Sequence, residues 1–289
     1  MDNPSPLFLF HRRRFVFRNP EHTIVPFESN SVVIYFSKTG DGLVSLDRSP
    51  FGSFIADHAV SKNDLLSLLK IMFEWSNNNH ITSLIIKSFP EVYAPEFSKQ
   101  INEALLESGF KILYDDIAQV INVSNDEMKL NTHKRRRLRN AAVDGFSFQK
   151  LTFDDLEECY ALIVESRESK NYPVTMTLEE LKNIFMLFRK EYLLFGVFNK
   201  HTLIAAAVCI EVNNEILYCF YIGDDLDYRV HSPVTLLVHG IYRYCQHNNF
   251  KLLDLGVSTD KGILNNGLYT FKKTFGAFDS RKLTYLRQL

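Results

Sequence analysis

The chain has 289 residues, 46% hydrophobic and 23% charged, with 33 basic against 34 acidic side chains and a formal charge of -1. This length and composition suit a folded protein of one large or two ordinary domains and exclude a disordered or low-complexity chain. The balanced charge excludes a general attraction to nucleic acid or anionic lipid, and four cysteines without CxxC spacing (Cys159, Cys209, Cys219, Cys245) fit a reducing, cytoplasmic setting.

In the N-terminal MDNPSPLFLFHRRRFVF the arginines follow a short apolar stretch, the reverse of a signal peptide. No other segment approaches the roughly 18 apolar residues of a membrane span, so no membrane insertion is expected. From Ser31 to Asp47 two strands surround Thr39-Gly-Asp-Gly42, which predicts a hairpin. Ser61-Lys-Asn-Asp64 then caps a helix that ends near Asn77-Asn-Asn79. ITSLIIKSF reads as a strand, FSKQINEALLESGF as a helix stopped at Gly109, and KILYDDIAQVINV as a closing strand. Mixed α/β is the class this order predicts.

THKRRRLRNAAVDGF, residues 132 to 146, predicts a basic helix stopped by Gly145. Capping boxes at Thr152–Asp155 and Thr177–Glu180 start two further helices, and YLLFGVF, LIAAAVCIEV and ILYCFYIG form a three-stranded meander. Ser232 before Pro233 reads as the cap and first residue of the next helix. LLDLG is a buried strand, and a Gly/Asn-rich loop leads from it to Phe271-Lys272-Lys273, Gly276 and a last strand. Ser49-Pro50 and Ser232-Pro233 hold matching places in two halves of similar order, which points to an internal duplication or to ordinary α/β grammar repeated. The halves are an N-terminal lobe at 1–130 and a C-terminal lobe at 148–289, joined by a basic linker helix at 131–147.

This order resembles the GNAT acyl-CoA N-acyltransferase fold in tandem, in the form of the Fem-type peptidoglycan aminoacyltransferases and related acetyltransferase-like proteins. SPFGSF, KRRRLRNAAVDG, LIAAAVCIEVNNEILYCFYIG, SPVTLLVHGIYRYC and LDLGVSTDKGILNNGLYTFKKTFGAF carry the resemblance, and Gly267 to Lys272 is its most specific element. The helical-hairpin arm of Fem-type enzymes has no counterpart, and Arg229-Val-His-Ser-Pro-Val234 stands where GNAT proteins have Arg/Gln-x-x-Gly-x-Gly/Ala. The resemblance implies direct transfer of an acyl group, without a covalent enzyme intermediate, from a thioester donor such as acyl-CoA to a small-molecule or peptide amine. It leaves open a charged transfer RNA as donor with a peptidoglycan precursor as acceptor, and a silent fold used only for binding.

Backbone N–H groups and the helix dipole at the loop before Val234 suit a phosphate, with Arg229, His231, Ser232 and Val234 as the donor-binding set; a merely capped helix is the alternative. Tyr218 and Tyr221 alternate to opposite faces of their strand, and Tyr221 is the expected proton donor to a leaving thiolate, against a purely packed aromatic. Asp254 between leucines either anchors the following loop or acts as base. By the resemblance Lys272, with Asn266 and Gly267, reaches the acceptor's carboxylate or phosphate. The interlobe groove is the expected acceptor site. Lys134, Arg135, Arg136, Arg137 and Arg139 read either as a solvated face or as a phosphate-binding patch. Among the histidines no metal-ligand spacing occurs, and GxSxG, GxxxxGK[ST] and GxGxxG are absent, so no metal is expected and hydrolase, NTPase and dehydrogenase readings start low.

Overall fold

A computed structural model describes residues 8–16, 23–29, 32–56 and 60–289. Residues 1–7, part of the stretch read above as no signal peptide, and Ser31, the expected start of the first hairpin, lie outside the described residues. In chain order the elements are helix α1 (Arg13–Val16), strands β1 (Ile24–Ser29), β2 (Val32–Thr39), β3 (Gly42–Val44) and β4 (Ile55–Ala56), helix α2 (Lys62–Asn78), strand β5 (Ser83–Lys87), helix α3 (Pro95–Glu107) and strand β6 (Lys111–Asn122). Helix α4 (Thr132–Val143), strand β7 (Phe146–Leu151), helices α5 (Leu156–Glu168) and α6 (Leu178–Leu187), strands β8 (Tyr192–Asn199), β9 (Thr202–Asn213) and β10 (Ile216–Asp224) and helix α7 (Pro233–His247) follow. Strand β11 (Leu252–Val257), a small hairpin of β12 (Thr259–Asp260) and β13 (Ile263–Leu264), helix α8 (Asn266–Lys273) and strand β14 (Phe278–Gln288) end the chain. The class is mixed α/β, as expected.

Local chemistry accounts for most helix starts. Ser61 Oγ accepts from Asp64 N at 3.3 Å while Asp64 Oδ2 accepts from Ser61 N at 2.8 Å, which satisfies two donors that a helix start otherwise leaves without partners. Thr177 and Glu180 do the same for α6, and Thr152 and Asp155 for the short 3-10 turn that leads into α5. The basic segment forms α4, capped by Asn131, whose side chain accepts from Lys134 N. Strands β1 and β7 carry no expectation above, because each is short and has little apolar alternation.

The chain divides into two compact units, one of Met1–Ala118, Val257–Asn265 and Asp279–Leu289, the other of Gln119–Gly256 and Asn266–Phe278. This division differs from the expected lobes at 1–130 and 148–289. The last strand, β14, pairs antiparallel with β5, from Thr284 opposite Lys87 to Gln288 opposite Ser83, and so belongs to the first unit's sheet. Pairing between residues almost 200 positions apart leaves no local trace in the sequence.

In the first unit the strand order is β1-β2-β3-β5-β14-β6, with β4 beside β2. β3 and β5 run parallel, Leu43 opposite Leu84. Helix α2 buries Leu65, Leu68, Leu69 and Met72, and Phe8, Phe10, Phe51 and Phe89 form an edge-to-face aromatic core. Ser49-Pro50 stands before α2 with β4 between them, and Ser61 is the cap, as expected.

In the second unit the end of β6 is followed in the sheet by β11-β10-β9-β8-β7. β10 runs antiparallel to β9 and parallel to β11. Helix α7 lays Leu237, Val238, Ile241, Tyr242 and Cys245 on the core. A Cβ on Gly240 would stand 2.3 Å from the Phe148 ring, so only glycine admits this close approach of α7 to β7.

Candidate active site

Two irregularities meet on β10. Its parallel pairing with β11 covers only Ile216–Leu252, Leu217–Leu253 and Tyr218–Asp254. Its antiparallel register with β9 slips between Cys219, opposite Cys209, and Tyr221, opposite Val208, so Phe220 is an extra residue without a partner in that ladder. A bulge of this kind resets the alternation of side chains and frees backbone donors. Tyr218 and Tyr221, expected on opposite faces, both lie in the electrostatic reach of Arg167.

The side chains beyond the last Tyr218–Asp254 pair are buried and polar. Asp254, 2% exposed, accepts from Gly256 N through Oδ1 at 2.6 Å. Lys272, 5% exposed, donates from Nζ to Gly256 O at 2.8 Å. Burial pushes the Lys272 amine down to about 8, with Asp254 acting in the opposite direction. Burial, and then the Asp254 charge, raise the Tyr218 phenol well above its ordinary value. Gly256 has φ of +78°, and a Cβ there would come 3.4 Å from the Tyr218 ring. Asp254 and Lys272, two separate expectations, meet at the Gly256 peptide: Asp254 holds its N–H, in keeping with the loop anchor, and Lys272 is buried against its carbonyl. Asn266 and Gly267 stand exposed at the start of α8.

Tyr221 is placed differently from its expected role. It is 2% exposed, and its hydroxyl accepts from Thr175 N at 2.9 Å and Met176 N at 3.1 Å and shares a 2.7 Å hydrogen bond with Thr175 Oγ1. The hydroxyl thus holds the Thr175–Met176 backbone, a structural placement that differs from the expected role of proton donor to a leaving thiolate.

Arg167, in the last turn of α5, is a residue that sequence reasoning missed. Its Nε and Nη2 donate to Pro173 O at 3.1 and 2.7 Å, and its guanidinium lies 5.1 Å from the centre of the Tyr221 ring and 6.0 Å from that of Tyr172. Among the described residues no carboxylate pairs with it, and burial lowers its pKa. An arginine closing a helix ordinarily reads as a favourable partner of the helix dipole, so nothing in the sequence marked it.

The expected phosphate loop is built from the 3-10 turn Arg229–His231 and the start of α7. Ser232 sits in the left-handed region with φ of 56°, and its side chain makes no cap hydrogen bond, contrary to expectation. Arg229 pairs with Asp224 (Nε to Oδ2, 3.3 Å) and donates to Ser169 Oγ at 2.8 Å. Burial alone would raise the Asp224 carboxyl, but the Ser166 hydroxyl at 2.7 Å, Lys170 at 3.0 Å and Arg229 outweigh it and lower the pKa. Arg229 is therefore anchored in a local ion-pair network. His231 Nδ1 lies 3.2 Å from Asp144 Oδ2, and Val234 is half-buried in the first turn of α7.

Helix α4 packs on this same end of α7. Lys134, 8% exposed, donates to Thr235 Oγ1 at 3.0 Å and lies 4.4 and 4.8 Å from the Phe271 and Phe275 ring centres, while Arg137 donates to Val230 O at 2.7 Å. Arg135, Arg136 and Arg139 are exposed. The basic run thus divides into two residues that hold α7 and three that face solvent. Among the described residues no cluster of three His, Cys, Asp or Glu side chains is arranged to hold a metal, and no helix is long and apolar enough to cross a membrane.

The family model of the acetyltransferase (GNAT) domain matches residues 129–273. Among solved structures, FemX is similar over 99% of this chain and 94% of its own, with a TM-score of 0.73 at 13% identity. The C-terminal domain (DUF2156) of a putative lysylphosphatidylglycerol synthetase from Agrobacterium fabrum is similar over 95% of this chain and 86% of its own, with a TM-score of 0.64 at 11% identity. A tandem GNAT protein from the clavulanic acid biosynthesis pathway is similar over 91% of this chain and 85% of its own, with a TM-score of 0.50 at 11% identity. No curated protein matches the sequence.

Proposed function

Because the chain belongs to the acetyltransferase (GNAT) domain family and is an acyltransferase of that fold, we propose that it moves an acyl group from a coenzyme A thioester to an amine, by direct transfer in the opening between β10 and β11. The observation that carries this reading is the end of the parallel ladder at Tyr218–Asp254 beside the Phe220 bulge. An opening there lets a thioester lie along β10, with its carbonyl oxygen against the Phe220 N–H, a fixed donor where negative charge develops.

In this reading the amine nitrogen attacks the thioester carbon, the C–S bond breaks, and Asp254 takes the proton that the nitrogen loses. Tyr218, kept protonated by its raised pKa, donates a hydrogen bond to the departing sulfur. Lys272, pushed down to about 8, is close in acidity to a thiol and returns a proton to the thiolate, after which Asp254 restores it. The donor's phosphates lie at the start of α7, against His231, Ser232 and Val234, with the exposed Arg135, Arg136 and Arg139 supplying positive charge. Arg167 holds an anionic group of the acceptor, since no carboxylate pairs with its half-buried guanidinium among the described residues.

A second reading takes charged transfer RNA as the donor; the three exposed arginines of α4 favour it. Thermal-shift and calorimetric titration with acetyl-CoA, a longer acyl-CoA and free CoA separates the readings, because a ligand of the native state raises its apparent stability. Saturable binding supports the thioester donor. No binding at millimolar concentration, together with a gel shift by charged transfer RNA, favours the second reading, and neither signal leaves a silent binding module.

A further inference from the structure

The first unit contains a cation held by backbone carbonyls. Lys87, the last residue of β5, is half-buried, and its Nζ donates to the carbonyl oxygens of Asp47 at 2.8 Å and Ser49 at 2.9 Å. The segment after β3 wraps around it through three more hydrogen bonds: Ser45 N to Ile85 O, Lys87 N to Ser45 Oγ at 2.8 Å, and Gly52 N to Lys87 O at 3.0 Å. Among the described residues no carboxylate forms an ion pair with Lys87. Burial, and then the like charge of Lys282 on β14, push its amine down to about 7, against a weaker attraction from Asp47.

Two hydroxyls of the wrapping segment also lack partners. Ser49 Oγ and Ser53 Oγ are buried without a hydrogen bond among the described residues, and Ser49 and Ser53 are only 8% and 1% exposed. Native interiors leave few such groups, since burial strips them of water without replacing its hydrogen bonds. An ammonium has three protons, and the two carbonyls use two.

We propose that this corner binds a small oxyanion, a carboxylate or the oxygens of a phosphate or sulfate group, which takes the third Lys87 proton and the Ser49 and Ser53 hydroxyls. One ligand then answers the uncompensated charge and the hydroxyls together. The site lies wholly in the first unit and is independent of the acyl-transfer reading. Binding couples to protonation of Lys87: the ammonium form binds, so affinity is full at pH 6 and declines as the pH rises through the region of 7.

Calorimetric titration of the full chain with sodium acetate and with sodium sulfate, both of constant charge over this range and matched in ionic strength with chloride, tests this at pH 6.0 and 8.0. The expected result is saturable binding at pH 6.0 that weakens about tenfold at pH 8.0 and is absent in Lys87→Met. Lys282→Gln, which removes the repelling charge, is expected to retain more affinity at pH 8.0 than the unsubstituted chain. Preference for acetate over sulfate identifies a carboxylate ligand, and the reverse a tetrahedral anion. Absence of saturable binding, equal binding by a folded Lys87→Met, or an affinity indifferent to pH overturns the proposal; if Lys87→Met does not fold, the Lys282→Gln pH profile decides.

Discussion

Tyr218 stands directly opposite Asp254 in the parallel ladder of β10 and β11, and that pair is the ladder's last. Pairing stops where the bulge at Phe220 begins and where the Gly256 peptide is held from both sides, its N–H by Asp254 and its carbonyl by Lys272. The consequences of this arrangement are measurable one residue at a time.

The two tyrosines of β10 should separate stability from chemistry. Tyr221→Phe leaves the Thr175 and Met176 N–H groups without their acceptor and is expected to destabilise by about 1–3 kcal/mol, with little change in kcat of the folded fraction. Tyr218→Phe is expected to lower kcat by roughly tenfold or more while Tm changes little. Chemical denaturation and single-turnover rates on both variants check this, and an unaffected kcat in Tyr218→Phe removes that phenol from the reaction.

Gly256→Ala should be costly through the backbone. The residue occupies φ of +78°, which costs an alanine about 1–2 kcal/mol, and a shift that relieves this strain moves the peptide that Asp254 and Lys272 hold beside Tyr218. A lowered Tm accompanied by a loss of activity larger than in Tyr218→Phe is the expected outcome.

Lys272 makes stability depend on pH with a definite sign. Its amine is held at about 8 in the folded chain against an ordinary 10.5, so between these values the unfolded chain binds a proton that the folded one does not. Stability therefore rises with pH across that window, by up to ~3 kcal/mol from this residue, and the burial penalty is fully present below about 8. Denaturant titrations at pH 7.5 and 10 should show a smaller rise for Lys272→Met than for the unsubstituted chain. Lys134, held at about 8 by burial and Arg137, adds to the rise in both.

Arg167→Met should raise KM for an anionic acceptor by about tenfold or more and leave a neutral amine acceptor unaffected. Equal effects on both acceptors would make Arg167 a structural support of the Tyr172–Thr175 segment through Pro173 O.

The sequence made legible what neighbouring residues decide. Ser61 with Asp64 and Thr177 with Glu180 announce their helices because a capping box is a contact of four consecutive residues, and the meander of β8, β9 and β10 shows in its apolar runs and its turns. Asp254 was legible as a carboxylate between leucines, and Lys272 through the family resemblance after the Gly/Asn-rich loop. What stayed hidden depends on distant partners or on one irregular residue. The pairing of β14 with β5 has no local signature, and the Phe220 bulge reverses the alternation on which the reading of Tyr218 and Tyr221 relied. Arg229 looked free for a phosphate because Asp224, Ser166 and Ser169, which hold it, lie on two other segments.

Amide hydrogen exchange with and without acetyl-CoA tests the central claim most directly. Donor binding in the opening predicts added protection at residues 217–223 of β10, at 232–236 at the start of α7 and at 254–257 of β11. No added protection at millimolar acetyl-CoA, or protection confined to α4, would contradict a thioester donor lying between β10 and β11.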